Sequence, residues 1–481
     1  MATDKPALIL GERAESFAEL DDRANRLSAV LEGMGADLGR PVAAVLPNGI
    51  EFFEAAMAAG KLGVPFLPIN WHLKADELAY IVDDADVSVV VSSAQVEGRP
   101  TLVVGDDYER AISGGDPAAR GVDGTVPSLV FYTSGTTARP KGVVHGSFTG
   151  EAIRKGMEGQ AALWRWTADD VHLLCGPSYH AGPCGWAFTA LYMTATTVIM
   201  PAWDAREWLK LVDRHRVTRA FMVPAHFIRL LEVPEEERAQ YDLSSLRMIV
   251  HGAAPCPVPI KRRMIEWLGP LGCEIHELYG GSEGGATKIG PEEWLAKPGS
   301  VGKPWPGVEV RVVDEDGNRL PPGEPGLVYI TPMSGGFEYR NDPEKTEAAW
   351  RDGAFTIGEI GYLDDDGYLF ITDRASDMVL WGGVNIAPRE VEEVLYDHPA
   401  VIDCAVFGVP DERSGERLKA MVEARDDVSV EELSAFVRDR LADYKVPQDW
   451  ELVDELPRDS AGKVKKRLLR DAHWAGRNIQ V

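Results

Sequence analysis

The sequence has few cysteines and no pair of them in a CxxC spacing. Its 481 residues include five cysteines, at positions 175, 184, 256, 273 and 404. An odd number of widely spaced cysteines excludes a disulfide-stapled or zinc-ribbon scaffold. This pattern is typical of reduced, buried thiols in a cytosolic protein. We therefore predict a cytoplasmic location.

Positive charge is scarce. Lysine and arginine total 50 against 76 acidic residues, which gives a net charge of −26. Such an excess of negative charge disfavours nucleic acid and anionic membranes as partners. The most apolar stretch, residues 188–203, is interrupted by threonines and is too short to span a bilayer. The N-terminus has no apolar run followed by a cleavage site, so we expect no signal peptide.

The length requires two or more domains. Helix-like and strand-like segments alternate from the N-terminus to about position 300: Ser16–Leu31 reads as a helix with a capping box, Ile50–Leu62 and Val258–Leu268 as helices, and Arg219–Val223 and Leu246–Val250 as strands. This alternation predicts parallel α/β layers.

The pattern changes near residue 300. Short strands separated by Gly, Pro and Asp-Gly turns follow, for example Val308–Val313 and Gly326–Thr331. After Arg374 helices and strands mix again, with helices predicted at Pro388–Tyr396 and Val430–Tyr444. We predict an α/β protein. Its large N-terminal domain (1–375) has layered α/β subdomains and a β-rich subdomain, and its C-terminal domain (376–481) is small, mobile and α+β.

The stretch YTSGTTARPKGVVH, residues 132–145, follows an apolar run and concentrates hydroxyls, glycines and cations. Gly135 and Gly142 let the backbone approach an anion, Ser134, Thr136 and Thr137 offer hydroxyls, and Lys141 and Arg139 offer charge. No GxxxxGK[ST] loop and no GxGxxG after a strand occur in the chain, so neither a Walker A site nor a Rossmann site is supported.

This stretch resembles the phosphate loop of the adenylate-forming (ANL) superfamily, which includes acyl-CoA synthetases. Six further matches follow in the family's order, and together with an opening helix at Ser16 they cover nearly the whole chain. They are Gly252-Ala253-Ala254-Pro255, Tyr279-Gly280-Gly281-Ser282-Glu283, Gly358-Glu359, Asp373-Arg374, Gly382-Gly383-Val384-Asn385-Ile386, and the segment LPRDSAGKVKKRLLR around Lys463.

The resemblance implies ATP, Mg²⁺ and coenzyme A as cofactors. It assigns catalytic roles to Lys463, Glu283, Ser282 and Thr136, with Glu283 and Thr136 as metal ligands. The residues that it places at ATP or coenzyme A are Thr133, Ser134, Gly135, Thr137, Lys141, Gly252, Ala253, Ala254, Tyr279, Gly280, Gly281, Glu359, Arg374, Gly382 and Gly383.

The implied chemistry has two steps. A carboxylate attacks the α-phosphorus of ATP to give an acyl-adenylate and pyrophosphate, and a thiol then displaces AMP. Two anions about 4 Å apart at an effective dielectric near 20 repel by roughly 4 kcal/mol, so the site must supply positive charge. The distance in sequence between Lys463 and the phosphate loop is explained if the small domain swings about a hinge at Ser376.

Four positions depart from the family pattern. Ala138 replaces a loop glycine, Glu359 replaces the ribose-binding aspartate, Ser376 replaces a charged hinge residue, and Trp381 is a bulky neighbour of the thioester loop. The substitution at 359 bears on ATP affinity, and the tryptophan bears on the thiol step.

The acyl pocket is expected to be lined by residues 179–188, 222–226, 252–256 and 280–285. Its small walls predict a hydrophobic carboxylic acid, whether aliphatic, aryl or polycyclic. An amino acid is not expected, because no aspartate is present to pair with an α-ammonium group. His180 is either a gate or a satisfied core histidine. The predicted substrate-binding residues are His180, Gly182, Gly185, Trp186, Val223, Gly281 and Gly284.

Three functions remain open at this point. The first is a stand-alone carboxylate–CoA ligase. The second is an adenylating enzyme that passes its acyl group to a carrier protein or a separate thiolating partner, which Trp381 favours. The third is a non-catalytic nucleotide- or acyl-binding homologue, which Glu359 favours. Monomer and homodimer are both compatible with the sequence.

Overall fold

The computed structural model describes residues 3–118, 128–133, 140–145, 150–332, 335–374, 377–381, 384–411, 413–425, 428–459 and 462–474. Helices and strands alternate from the N-terminus to Pro304, and strands dominate from there to Arg374. No helix in these ranges combines the length and the apolar character of a membrane span.

The strands, in chain order, are β1 (Pro6–Leu10), β2 (Arg13–Ser16), β3 (Val42–Val45), β4 (Phe66–Pro68), β5 (Val89–Ser92), β6 (Thr101–Val103), β7 (Val130–Thr133), β8 (Lys141–His145), β9 (Val171–Leu174), β10 (Thr196–Ile199), β11 (Arg219–Met222), β12 (Met248–His251), β13 (Glu274–Gly281) and β14 (Gly284–Ile289). They continue with β15 (Ser300–Pro304), β16 (Glu309–Val313), β17 (Gly326–Thr331), β18 (Phe337–Tyr339), β19 (Trp350–Arg351), β20 (Ala354–Phe355), β21 (Glu359–Leu363), β22 (Leu369–Arg374), β23 (Val379–Trp381), β24 (Val384–Ile386), β25 (Val401–Asp411), β26 (Gly415–Ala424) and β27 (Asp449–Val453).

The helices are α1 (Phe17–Gly33), α2 (Ile50–Leu62), α3 (Ala75–Asp84), α4 (Asp106–Gly114), α5 (Gly150–Leu163), α6 (Ala181–Tyr192), α7 (Ala205–His215), α8 (Pro224–Glu232), α9 (Glu235–Arg238), α10 (Val258–Leu268), α11 (Pro291–Ala296), α12 (Pro343–Ala349), α13 (Pro388–Tyr396), α14 (Val430–Arg438) and α15 (Lys466–Trp474). The predicted capping box at the start of α1 is confirmed, since the Ser16 side chain accepts from the Glu19 N–H and Glu19 accepts from the Ser16 N–H.

The largest sheet joins a parallel half to an antiparallel half. Strands β1, β10, β9, β11, β12 and β13 pair in parallel in that order, and β14, β15, β22, β21 and β17 continue the sheet in antiparallel pairing. The junction is the turn between β13 and β14. The sheet thereby confirms the predicted parallel α/β layers and the β-rich region after residue 300.

Two smaller sheets complete the N-terminal region, by which we mean residues 1–375. Strands β4, β3, β5 and β6 form a parallel sheet, and β7, β8 and β18 form an antiparallel one. The buried side chains of α1 and α2 pack with β3 and β5 in one continuous hydrophobic cluster. The hairpin β7–β8 carries the two flanks of the predicted phosphate loop.

The C-terminal region, residues 376–481, has its own sheet and core. Strands β24, β23, β26 and β25 pair in that order, and β27 pairs with β26 in parallel. Helices α13 and α14 bury Val391, Leu395, Leu433 and Val437 against this sheet. The mixture of helices and strands matches the α+β character predicted for this part of the chain.

One predicted helix is wrong in length. The sequence predicts a helix over 430–444, but α14 ends at Arg438, and a short 3-10 turn follows at Asp443–Lys445. Ala442 between them is extended, with ψ of 146°. The Lys445 ammonium donates to both carboxylate oxygens of Glu390 on α13, at 2.7 and 2.6 Å, and this tertiary contact holds the turn.

Candidate active site

The flanks of the predicted phosphate loop are held together by the β7–β8 hairpin. Thr133 and Lys141 are register partners at its end. The Lys141 Nζ lies 2.8 Å from Asp342 Oδ2, and the hydrogen bond between them raises the pKa of Lys141. The predicted loop residues Ser134, Gly135, Thr136 and Thr137 lie outside the described residues.

The turn between β13 and β14 carries Ser282 and Glu283 against this hairpin. His145, the last residue of β8, donates from Nε2 to the Ser282 carbonyl oxygen at 2.8 Å. The Tyr339 hydroxyl donates to Glu283 Oε1 at 2.8 Å. Because Tyr339 is the register partner of Val143 in β8, the hairpin and the Glu283 carboxylate share one cleft.

A cavity of about 150 Å³ lies beside Glu283. Its aromatic walls are Trp305, Phe337, Trp350 and Phe355. The Trp305 ring covers Gly285, where a Cβ atom would lie 2.1 Å from the ring. A carboxylate at an aromatic, partly enclosed cavity is shielded from bulk water, which strengthens its interaction with a cation.

The segment 252–254, predicted to lie at ATP or coenzyme A, follows β12 at the carboxyl edge of the parallel strands. Gly252 lies so close to β13 that a Cβ there would be 2.7 Å from the Leu278 carbonyl oxygen. Ala253 has a φ of +69°, in the left-handed region. Tyr279 is buried at the end of β13, and Gly280 and Gly281 continue toward Glu283. The structure therefore places Gly252, Ala253, Ala254 and Tyr279 at adjacent strand ends.

The predicted ribose-binding residues are neighbours across two strands. Glu359, the first residue of β21, is the register partner of Arg374, the last residue of β22. Gly358 precedes Glu359 with a φ of +81°, a conformation that suits glycine. Antiparallel pairing thus makes neighbours of two residues that are separated in sequence.

The turn that carries Lys463 is docked on the N-terminal region. Gly462, with a φ of +79°, is so close to α8 that a Cβ there would lie 3.1 Å from Val223 and 3.2 Å from Ala225. Asp459 fixes the turn, because its Oδ1 accepts from the Lys463 N–H at 2.9 Å. The C-terminal region is therefore oriented with Lys463 at the edge of the large sheet.

His180 faces this turn from the start of α6. Burial lowers the pKa of His180 to about 4, while nearby Asp459 raises it and nearby Lys463 lowers it. The imidazole is consequently neutral near pH 7. Lys463 and His180 come from regions far apart in sequence, and the fold makes them neighbours at one site.

Comparison with known proteins identifies the chain. The profile of the AMP-binding enzyme family matches residues 1–334, and that of the AMP-binding enzyme C-terminal domain matches residues 390–463. The chain belongs to the AMP-binding enzyme family. As a member of this adenylate-forming family, it is an AMP-forming acid–thiol ligase, and ATP, Mg²⁺ and coenzyme A are the family's cofactors.

Relatives in this family align over nearly the full length. A fatty acid–acyl-carrier-protein ligase of Streptomyces coeruleorubidus is 33% identical and covers 98% of this chain and 93% of its own. A feruloyl-CoA synthase of an Amycolatopsis species is 34% identical and covers 98% and 96%. The expectation of a non-catalytic homologue is therefore set aside.

One solved relative is known in two states. The ATP-bound structure of MatB from Rhodopseudomonas palustris is 30% identical, covers 98% of this chain and 97% of its own, and superposes with a TM-score of 0.85. The apo structure of the same protein covers 98% and 97% and superposes with a TM-score of only 0.73. The arrangement seen here is thus closer to the ATP-bound state.

The residues present fit the cofactors that the family uses. The described residues contain no group of three or more His, Cys, Asp or Glu side chains that would hold a metal alone. Mg²⁺ commonly binds one or two carboxylates together with phosphate oxygens, so Glu283 suffices on the protein side. When bound, the ion supplies positive charge to the phosphate oxygens.

The remaining predicted residues lie at other places in the fold or outside the described residues. Gly182, Gly185 and Trp186 lie on α6, Val223 follows β11, and Gly284 is the first residue of β14. Trp381 stacks on Tyr444 with ring centroids 6.1 Å apart. The hinge residue Ser376 and the loop glycines Gly382 and Gly383 lie outside the described residues, as does the side chain of Arg374.

Sequence reasoning missed four residues around this cleft: His145, Tyr339, Asp342 and Trp305. Asp342 had a local signal, since it precedes a proline and caps α12 by accepting from the Lys345 N–H. That signal predicts a helix start only. Its pairing with Lys141 depends on the β8–β18 contact, which no local pattern reveals.

Proposed function

We propose that the protein is a carboxylate–CoA ligase that activates a hydrophobic carboxylic acid through an acyl-adenylate and then forms an acyl-CoA thioester. The observation that carries this proposal is twofold: the phosphate-loop hairpin and Glu283 share one cleft, and the Lys463 turn docks beside Val223, at the carboxyl end of a strand of the same large sheet. No nucleophilic side chain is required, because positioning and charge stabilisation drive the first step.

Each part has a role at the site. Lys463 donates to the oxygen atoms of the α-phosphate as negative charge builds up there. Lys141 neutralises the outer phosphates, and Asp342 holds its ammonium group in place until the nucleotide binds. Neutral His180 borders the acid without adding charge that would compete with Lys463.

We further propose that residues 1–375 and 376–481 are two domains joined by a hinge at Ser376. The docked turn around Lys463 corresponds to the first half-reaction, and its likeness to an ATP-bound relative supports this assignment. Rotation about the hinge withdraws Lys463 and brings the loop at Gly382 and Gly383 to the thiol. A cytoplasmic location is consistent with five free, buried cysteines.

Transfer to a carrier protein is the second candidate. One relative is named a fatty acid–acyl-carrier-protein ligase, and Trp381 adds bulk beside the thioester loop. A carrier protein presents its pantetheine arm from outside the enzyme, so a crowded loop selects against free coenzyme A more than against a docked carrier.

Acid-dependent exchange of labelled pyrophosphate into ATP tests adenylation with a panel of carboxylic acids. The acceptor is then tested by supplying coenzyme A or a phosphopantetheinylated carrier protein to the same reaction. Release of AMP with acyl-CoA supports the CoA ligase. Acyl-AMP that persists with coenzyme A but disappears with the carrier supports the second candidate, and absence of exchange with every acid contradicts both.

A further inference from the structure

One face of α6 carries Gly182 and Gly185 about one turn apart, just after His180. A Cβ at Gly182 would lie 2.5 Å from the Phe221 ring. A Cβ at Gly185 would meet nothing within 4 Å. The space beside Gly185 is therefore open, and the space beside Gly182 is already filled by Phe221.

Phe221 bridges two predicted parts of the acyl site. It lies on β11 and is 3% exposed. Its ring is also the side chain nearest to Gly252, since a Cβ at Gly252 would lie 3.6 Å from the ring. The ring thus stands between α6 and the segment that follows β12, two segments expected to line the acyl pocket, and it forms a wall of the cleft between them.

Trp186 extends this wall along α6. Its ring centroid lies 5.9 Å from that of Phe221, and 5.4 Å from those of both Trp164 and Trp166. These aromatic side chains form one buried cluster, which we call the aromatic wall: Trp164, Trp166, Trp186 and Phe221. A close-packed cluster of this kind leaves no passage for an alkyl chain.

The far side of the aromatic wall is sealed by two cations. The Arg219 guanidinium lies 4.9 Å from the Trp166 ring centroid and donates to the Trp164 carbonyl oxygen at 2.7 Å. The Lys288 ammonium lies 5.4 Å from the Trp164 ring centroid and donates to the Leu163 carbonyl oxygen at 3.2 Å. An acyl chain that passed through the wall would have to displace these bonds.

We propose that the aromatic wall closes the acyl site, so that the enzyme takes a compact acid, short-chain or single-ring, with its apolar group beside Gly185. Long-chain fatty acids are excluded. This inference rests on the proposed ligase function and narrows its substrate class. Phe221 and Trp186 are the residues that determine specificity, because they set the depth of the cleft.

Shortening Phe221 tests the wall. Pyrophosphate exchange is measured with butyrate, benzoate, octanoate and palmitate for wild type and Phe221→Leu. We expect wild type to use butyrate or benzoate and to reject palmitate. We expect Phe221→Leu to raise the octanoate-to-butyrate ratio of kcat/KM by about tenfold, since a pocket discriminates by roughly 10- to 200-fold per methylene.

Phe227→Leu is the matched control. Phe227 is also buried but lies on α8 against His251, with ring centroids 5.2 Å apart. The Phe227→Leu variant also loses a buried aromatic ring, but it does not open the cleft. Its octanoate-to-butyrate ratio of kcat/KM should therefore equal that of wild type. Equal ratios in all three proteins, or efficient use of palmitate by wild type, overturn the proposal.

Gly185→Ala tests whether the open space beside Gly185 holds the acid. The methyl group points into empty space and improves helix propensity, so the melting temperature should not fall. We expect KM for benzoate to rise several-fold while KM for butyrate stays unchanged. An unchanged KM for both acids contradicts the assignment of the cleft to this face.

Calorimetry with acyl-sulfamoyl-adenosines separates the size inference from the ligase function. Tight binding of the butyryl analogue without binding of the palmitoyl analogue supports the size inference, even if no acid supports exchange. Absence of exchange with every acid contradicts only the ligase. Exchange with palmitate at the butyrate rate overturns the size inference and leaves the ligase intact.

Discussion

A tyrosine on another strand holds the Glu283 carboxylate in position. The Tyr339 hydroxyl donates to Glu283 Oε1 at 2.8 Å, and burial together with this carboxylate raises the pKa of Tyr339. Tyr339 is therefore protonated at all working pH values and acts as a fixed donor. Under the proposed function, the second oxygen of this carboxylate would hold the cation that accompanies the phosphates.

Glu283→Gln removes that charge without changing the shape of the side chain. We expect pyrophosphate exchange to fall about 100-fold, since loss of one electrostatic contact in a preorganised site typically costs that much. The Mg²⁺ concentration for half-maximal exchange should rise as well. A Mg²⁺ titration of exchange rates measures both effects.

Glu293→Gln is the matched control for this change. Glu293 is exposed and also accepts from a tyrosine hydroxyl, that of Tyr368 at 3.0 Å, but on α11 away from the cleft. It should leave both the rate and the Mg²⁺ dependence unchanged. Equal losses of exchange rate in the two variants would show that Glu283 stabilises the fold and does not bind the metal.

Individual site residues can be predicted where a short sequence motif identifies them. Lys463, Glu283 and Lys141 occur in short motifs, so their chemistry can be recognised without a fold. Asp342, Tyr339 and Phe221 could not be recognised, because each acts through a contact between strands distant in sequence. The proposed substrate is narrower than the predicted one for the same reason: small residues predicted volume, but the Phe221 ring fills the space beside Gly182.

At the scale of elements, two reciprocal ion pairs join α8 to the end of β26 and the residue that follows it, and we call these pairs the latch. Arg229 on α8 contacts Glu423 Oε1 and Oε2 at 2.6 and 3.3 Å. In the opposite sense, Arg425 Nη2 lies 2.5 Å from Glu232 Oε1. The latch joins the C-terminal region to the N-terminal region in the orientation that docks Lys463.

Breaking the latch should favour the other domain orientation. The Glu423 side chain is 6% exposed, so Arg229→Ala leaves a buried carboxylate without its arginine, at a cost of about 1–3 kcal/mol. We expect adenylation to fall about tenfold, because 1.4 kcal/mol is a tenfold change in population. Thioester formation from preformed acyl-adenylate should not fall.

Two variants control this prediction. The charge-swapped double variant Arg229→Glu with Glu423→Arg should restore adenylation at least in part. Arg206→Ala removes a two-pronged pair with Glu237, at 2.7 and 3.0 Å, that lies within the N-terminal region, and it should change neither half-reaction. Equal loss of both half-reactions in Arg229→Ala contradicts the latch.

Element boundaries were predictable where periodicity and terminators agree. The helices predicted at 50–62, 258–268 and 388–396 have those bounds in the structure. The helix predicted to 444 ends at Arg438, because tertiary contacts such as the pairing of Lys445 with Glu390 hold the following turn. The joining of parallel and antiparallel strands into one sheet was not predictable, since pairing partners are non-local.

At the scale of the whole molecule, buried histidines couple stability to pH. Burial lowers the pKa of His172 and His226 to about 3 and that of His180 to about 4, and it lowers the pKa of His251 well below its usual value. Between pH 6.5 and 4 the unfolded chain binds more protons at these sites. Their contribution to stability is therefore complete above pH 6.5 and is lost as the pH falls.

Glu15 acts in the opposite direction. Burial raises its pKa to about 8, so the folded chain holds its proton between pH 4.5 and 8. The difference near pH 5.5 is about two to three protons, and the free energy of unfolding should drop by roughly 3 kcal/mol per pH unit there. Urea unfolding at pH 7, 6 and 5 measures the slope, and a flat profile contradicts the assignment of neutral histidines.

The central claim is that positive charge from two moving regions meets at the α-phosphate. The most direct test is Lys463→Ala with both half-reactions measured separately. We predict that pyrophosphate exchange falls by about 100-fold or more, while thioester formation from preformed acyl-adenylate keeps its wild-type rate. Lys465→Ala, an exposed neighbour in the same basic run, should change neither rate. Equal loss of both half-reactions in Lys463→Ala would contradict the account.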